Sequence, residues 1–251
     1  MPRLGGVEGL AIFIGVAFLF AGWVKGAIGI GLPTMVMGLL SIIMPPAQAA
    51  ALMVLPAIGT NIWQMAAGPA LGRLLRRFAS MIVGVVIGTF ATIGFLAHNA
   101  AASAALGLVL AIYGLYGLFA RRFQIEPRHE AWASPLMGFV TGAISGATGV
   151  FIVPNAPYLT SLRLEPEELV QSIGILAFVC PLALTLALAV HGRYGGDVAG
   201  ASFLALFPAL AGMYVGQRVR RRLPAATFMR WFFIGLLLLG GYMFLRSVPL
   251  K

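Results

Sequence analysis

Charge is what this chain has least of. Charged residues fill 10% of its 251 positions, where a soluble domain carries roughly 25%. So few charges cannot solvate the surface of a globule, which excludes a soluble domain. Acidic residues are the scarcest: Glu8, Glu126, Glu130, Glu165, Glu167, Glu168 and Asp197 complete the set, and each lies in or beside a connection between apolar stretches. His98, His129 and His191 are placed likewise. No His, Cys or carboxylate ligands pair at metal spacing, so neither a metal nor any other cofactor is expected. An intramembrane proton relay would lack its usual groups, leaving a uniporter-like path or coupling through the substrate's own protonation. The single cysteine, Cys180, sits inside an apolar run, permits no internal disulfide and reads as packing. Neither it nor Ser172 has a histidine or carboxylate partner within apolar sequence, so a nucleophile–base enzyme is not expected.

Hydrophobic residues, by contrast, make up 60% of the chain. They form consecutive runs near the ~20 residues that cross a bilayer as helix. The fold expected is an all-α polytopic membrane protein. Its net charge of +10 comes from arginines in the short connections. That placement fits cytoplasmic loops rather than nucleic-acid binding, so the macromolecular partner expected is the lipid bilayer. One early base, Arg3, and a first run leading straight into glycine-rich sequence argue against a cleaved signal peptide. Nothing in the sequence specifies an oligomeric state.

The glycines carry the organisation. Gly22-Trp23-Val24-Lys25-Gly26-Ala27-Ile28-Gly29-Ile30-Gly31-Leu32-Pro33 finds a partner 120 positions on, in Gly142-Ala143-Ile144-Ser145-Gly146-Ala147-Thr148-Gly149-Val150, with Pro154 shortly after. Glycine and proline weaken a helix unless neighbours satisfy the freed backbone. Paired interruptions in two halves of a membrane protein point to a transport site. The stretches downstream of the two copies also correspond. Pro45-Pro46 closes the first short segment, as the bend from Arg163 to Glu168 closes the second. The next run carries Pro56, Thr60, Asn61 and Gln64 in one half, and Gln171, Ser172 and Pro181 in the other. The expected organisation is a first transmembrane repeat over 1–122, a cytoplasmic linker over 123–133 and a second repeat over 134–251.

The basic loops set the relation between the halves. Arg73, Arg76 and Arg77 follow the third run of half one, whereas half two puts Arg218, Arg220, Arg221 and Arg222 after its fourth. Arg121, Arg122 and Arg128 mark the boundary. If basic loops are cytoplasmic, equivalent loops face opposite sides. This requires an odd number of crossings per half and an inverted-topology repeat. Five plus five segments fit, with short broken helices, or eight full spans if the broken segments are re-entrant; both chain ends then face away from the cytoplasm.

Across nearly its whole length the chain resembles the sulfite exporter TauE/SafE family, also called the toluene-sulfonate-uptake permease group. The family's usual run is G-x-x-G-x-G-G-G-like, followed by aliphatics and proline. Gly26, Gly29, Gly31 and Pro33 match it loosely, with the proline drawn closer; Gly146 and Gly149 match in the second copy, where Phe151 replaces a frequent glycine. The resemblance implies a permease for small sulfur-containing anions such as sulfite, thiosulfate or organosulfonates, in a prokaryotic inner membrane. The alternative is another small anion or metabolite, or a metal ion, on the same fold.

A glycine turn leading into a helix exposes backbone N–H groups at a positive dipole end, which can hold an oxyanion. Gly26, Gly29, Gly31, Gly146 and Gly149 are therefore candidates for substrate binding, while Gly22, Gly138 and Gly142 read as helix packing at small-xxx-small spacing. Lys25 and Lys251 are the only lysines, and Lys25 lies between two apolar segments, where an ionisable group is costly and usually functional; the alternative is a lysine snorkelling from a helix end. Asn61, Gln64, Asn155 and Gln171 can donate to oxyanions without formal charge, and Thr148 lies within the second motif. Arg193 and Arg230, near run ends, read as interfacial.

Overall fold

Left-handed glycines break the chain where the two motifs sit. The computed structural model describes residues 6–66, 68–97, 99–119, 124–220 and 225–247; His98, Arg121, Arg122, Arg221 and Arg222 lie outside them. Helix α1 (Gly6–Ile28) ends at Gly29, whose φ is 85°, and α2 (Leu32–Leu40) begins after Gly31 at φ 104° with Pro33 in its first turn. In the second copy α7 (Pro127–Thr148) ends at Gly149, φ 74°, and α8 (Asn155–Ser161) follows Pro154. The two caps are alike: the N–H of Gly29 donates to the Lys25 carbonyl at 2.7 Å, and that of Gly149 to Ser145 at 2.7 Å. Only glycine takes this backbone conformation at little cost.

Between and after the motifs run α3 (Pro46–Ala66), α4 (Leu71–Arg77), α5 (Ala79–Thr92) continued by a 3₁₀ turn over Ile93–Ala97, α6 (Asn99–Phe119), α9 (Pro166–Val190), α10 (Gly196–Arg220) and α11 (Ala225–Ser247). No strand occurs among the described residues. Both α3 and α9 start with a proline in the first turn, where its missing N–H costs nothing. Within α3, Pro56 leaves the Leu52 carbonyl without its helical donor, and the Ser202 hydroxyl of α10 donates to it at 2.9 Å. Seven helices among the described residues are long and apolar enough to cross a membrane: α1, α3, α5 with its turn, α6, α9, α10 and α11. At nine and seven residues, α2 and α8 reach only about 14 and 10 Å, against a hydrocarbon core of about 30 Å. Leucine, isoleucine, valine and phenylalanine side chains such as Ile87, Leu108, Leu204 and Leu238 stand exposed around the outside. The chain is an all-α polytopic membrane protein.

Helix packing repeats with the motifs. Helix α1 lies along α10, and α7 along α5; α3 packs on α9, and α6 on α11. A methyl group at Gly22 would sit 2.1 Å from the Ala209 carbonyl oxygen, and one at Gly142 the same distance from that of Val85. The reciprocal contacts match: Gly212 presses on Leu19, and Gly88 on Phe139. Such approach requires glycine on both helices. Gly138 is likewise closed against Met81.

Ends of the bundle are identified by polar contacts. The Arg77 guanidinium donates to both Glu130 oxygens at 2.7 and 2.8 Å, and Arg73 pairs with Glu168. The N–H of Ile125 donates to the Ser161 carbonyl at 3.0 Å, joining the residues before α7 to the last residue of α8. So α7 leaves from, and α8 returns to, the end where α4 lies. Helix α1 runs parallel to α10, as its paired contacts advance together along both helices. It therefore enters from the other end, and the two interrupted hairpins point toward each other.

Candidate functional site

Where the hairpins meet, Lys25 projects one turn before the Gly29 cap. It is only 5% exposed. Its Nζ donates to Thr60 Oγ1 at 2.9 Å and to Asn61 Oδ1 at 2.5 Å, both on α3. The partners are held in acceptor orientation: the Thr60 hydroxyl donates to the Pro56 carbonyl at 2.7 Å, and Asn61 Nδ2 donates to Ala57 at 2.7 Å and to Ala177 of α9 at 2.9 Å. Among the described residues Lys25 has no carboxylate partner; the ion pairs there are Arg73–Glu168, Arg77–Glu130 and Arg128–Glu126. Two of its three ammonium hydrogens are committed, and the third has no partner among the described residues.

Beside Lys25 lies a narrow cleft of about 20 Å³, water-sized in this arrangement of the helices. Lys25, Gly29, Gly31, Thr34, Asn61 and Gln64 line it from the first half, and Phe151, Ile152, Ile173 and Ala177 close it from the second. Gly29 and Gly31 leave the backbone bare where α2 begins, so the positive end of that helix faces the same space as the lysine. A Cβ at Gly31 would meet the Phe232 ring at 2.9 Å and force a residue with φ 104° into strain of about 1–3 kcal/mol. Gly31→Ala is accordingly expected to lower uptake well below the level of Gly15→Ala, whose site is open; paired flux and thermal-unfolding measurements check it.

The remaining residues expected at a site are placed elsewhere. Gly26 is closed against the Met213 carbonyl of α10, and Gly146 against Thr89 and Thr92. The Thr148 hydroxyl donates to the Ile144 carbonyl at 2.7 Å and accepts from the Val150 N–H at 3.2 Å, pinning the turn after α7. Gly149 makes the cap and faces the Met37 side chain. Asn155, 2% exposed, has an Oδ1 without a hydrogen-bond partner among the described residues, as does the hydroxyl of Ser145, the repeat position of Lys25. Gln171 binds the bend after α3: its Oε1 accepts from the Ala70 N–H at 3.0 Å, and its Nε2 donates to Met65 at 3.0 Å and Gly68 at 2.7 Å. Gln171→Leu would strand those backbone groups and cost about 1–3 kcal/mol. Its thermal midpoint should fall while substrate affinity, measured at a temperature where it is folded, stays near wild type.

Thr34, Ile173 and Ala177 also line the cleft, although the sequence does not single them out. Thr34 adjoins Pro33 in the first turn of α2, so its position beside the motif is a usable signal. Ile173 and Ala177 carry none, being apolar residues in an apolar run.

An all-helical membrane bundle with a lysine-bearing cleft between two interrupted hairpins is the architecture of a transporter. The family model for sulfite exporter TauE/SafE matches residues 14–243. The chain belongs to that family and is a membrane transporter. Searches of the curated proteins and of the solved structures found no match.

Proposed function

We propose that this protein carries small sulfur-containing anions, such as sulfite, thiosulfate or organosulfonates, across a prokaryotic inner membrane by alternating access. The observation that carries the reading is Lys25: a buried lysine with two neutral acceptors and no carboxylate, lining a cleft at a helix start. A buried charge needs a counter-charge, and a bound anion supplies it. The anion takes the third Lys25 hydrogen, the Thr34 hydroxyl and the bare backbone of the Gly29–Gly31 turn. The two halves, 1–122 and 134–251 joined by the linker over 123–133, form the inverted repeat. Support for it comes from the matched packing of α1 on α10 and α7 on α5, and from hairpins entering at opposite ends. Rocking of one half against the other about the cleft would open it to each side in turn.

Purified protein in liposomes, supplied with sulfite, thiosulfate, sulfate, sulfoacetate and taurine in turn, tests the reading. Accumulation of at least one sulfur anion over protein-free liposomes supports it. If none accumulates and none competes, the sulfur-anion function is wrong.

A further inference from the structure

We infer that a groove between α1, α2 and α11 binds an acyl chain of a membrane phospholipid, from the leaflet at the α4 end. The groove shares no lining residue with the cleft, and its occupant does not depend on what the cleft carries.

Glycines draw α11 tightly onto α6 but leave its other face open. A Cβ at Gly107 would meet the Phe244 backbone nitrogen at 2.6 Å, and one at Gly240 that of Ala111 at 2.5 Å. Gly235, also on α11, has nothing within 4 Å of the same position among the described residues. It opens on a space of about 380 Å³, against about 20 Å³ in the cleft. Trp23 and Val24 of α1, Met35 and Leu39 of α2, and the face of α11 from Phe228 to Leu239 wall this space. Trp23 stands edge-on to Phe228 with ring centroids 5.0 Å apart, where α1 reaches the first turns of α11.

Depth, chemistry and width identify the occupant. Helix α10 runs with α1 toward the α4 end, so α11, which follows it, starts there. From Phe228 to Leu239 the groove rises about 16 Å along α11, close to half of the roughly 30 Å hydrocarbon core. The chains of one leaflet occupy that depth. Among the described residues none that lines the groove carries a charge or a hydroxyl, so water inside would lack hydrogen-bond partners. Left empty, the walls would forfeit their dispersion contacts. A helix from a second copy is too thick: at about 10–12 Å across, a 16 Å length of it needs more than about 1,000 Å³. A hydrocarbon chain is thin, apolar and present at this depth. The mouth faces the membrane, with Trp231 69% and Phe20 43% exposed beside it. On the inner wall the Phe232 ring would stand 2.9 Å from a Cβ on Gly31, so a chain in the groove also packs on the ring that covers the first motif.

Tryptophan fluorescence tests the site, because Trp23 reports from inside the groove. Two full-length variants keep a single tryptophan of the four. Trp63→Phe, Trp132→Phe and Trp231→Phe together leave Trp23; Trp23→Phe, Trp63→Phe and Trp231→Phe leave Trp132, which is 59% exposed on α7 and away from the groove. Each is reconstituted in dioleoylphosphatidylcholine, or in the same lipid brominated across its double bonds, where bromine quenches tryptophan on contact. Trp23 is only partly exposed, yet it is expected to lose at least as large a fraction of its emission as Trp132. Gly235→Leu projects into the groove and should remove most of the Trp23 loss and none of the Trp132 loss. Leu39→Phe narrows the groove from the α2 side and repeats the test if Gly235→Leu does not fold. A Trp23 loss far below that of Trp132 would overturn the site and give the groove to protein, such as a second copy. A Trp23 loss unchanged by the filling variants in folded protein would also overturn it, as contact with the surrounding bilayer only.

Discussion

Lys25→Met is expected to abolish anion uptake while leaving the protein folded. A bound anion and Lys25 form a desolvated pair, and removing one member of such a pair costs about 3–5 kcal/mol, or two to three powers of ten in affinity at about 1.4 kcal/mol each. The unliganded protein loses much less. Methionine keeps the length and apolar stem of lysine; the acceptor left idle is Asn61 Oδ1, because the Thr60 hydroxyl still has the Pro56 carbonyl. One idle buried acceptor costs about 1–3 kcal/mol, and the loss of a buried charge without a carboxylate partner offsets part of it. The mutant should elute as wild type and unfold within a few degrees of it. Substrate anion should raise the thermal midpoint of wild type and leave that of the mutant unmoved, since stabilisation by a ligand follows its occupancy. Wild-type flux in Lys25→Met would remove the lysine from the site and the charge argument with it.

Gly142→Ala and Gly22→Ala should be among the costliest single methyl groups added to this chain's helices, with Gly26, Gly138, Gly212 and Gly216, which also close on a backbone oxygen at 2.0 to 2.1 Å. In a helix interior alanine is ordinarily better than glycine by about 1 kcal/mol. Here the added carbon would meet a backbone carbonyl oxygen at 2.1 Å, and a backbone cannot step aside as a side chain does. The helix pair α5/α7 or α1/α10 must part, and the loss should exceed the roughly 1–3 kcal/mol of ordinary overpacking. Gly15→Ala, with nothing within 4 Å of the new carbon, is the opposite case and should be neutral or mildly stabilising. Detergent-solubilised thermal unfolding of the three variants side by side decides it. Equal midpoints would mean that the helices do not approach at these glycines.

The same glycines show how much of the molecule is legible in its sequence. Four-residue spacing assigns Gly22, Gly138 and Gly142 to packing, and each closes against a backbone carbonyl. Gly26 and Gly146 have that spacing too, but their nearness to the motif prolines sets them among the binding candidates; both close against a neighbouring helix. Sequence does not say which side of a helix faces the cleft when small residues lie on both. Lys25, Gly29, Gly31, Asn61 and Gln64 are legible because a charge, an amide or a run of glycines is costly in apolar sequence, and all five line the cleft. Gln171 is costly for the same reason, yet its amide serves three backbone groups at the bend after α3. A buried amide announces that it needs partners without naming them.

The sequence alone determined that this is a helical membrane protein, that it breaks at two related glycine motifs, and that a lysine between apolar segments marks the first. Those conclusions depend on local quantities: apolar length against bilayer thickness, backbone freedom at glycine, and the cost of a charge away from water. Tertiary structure decided the rest. It placed the Lys25 ammonium on Thr60 and Asn61, set the apolar wall of Phe151, Ile152 and Ile173 opposite it, and sent the two hairpins in from opposite ends. The lysine's neighbours come from helices distant in sequence, and which of them arrive depends on how closely the glycine faces let those helices pack.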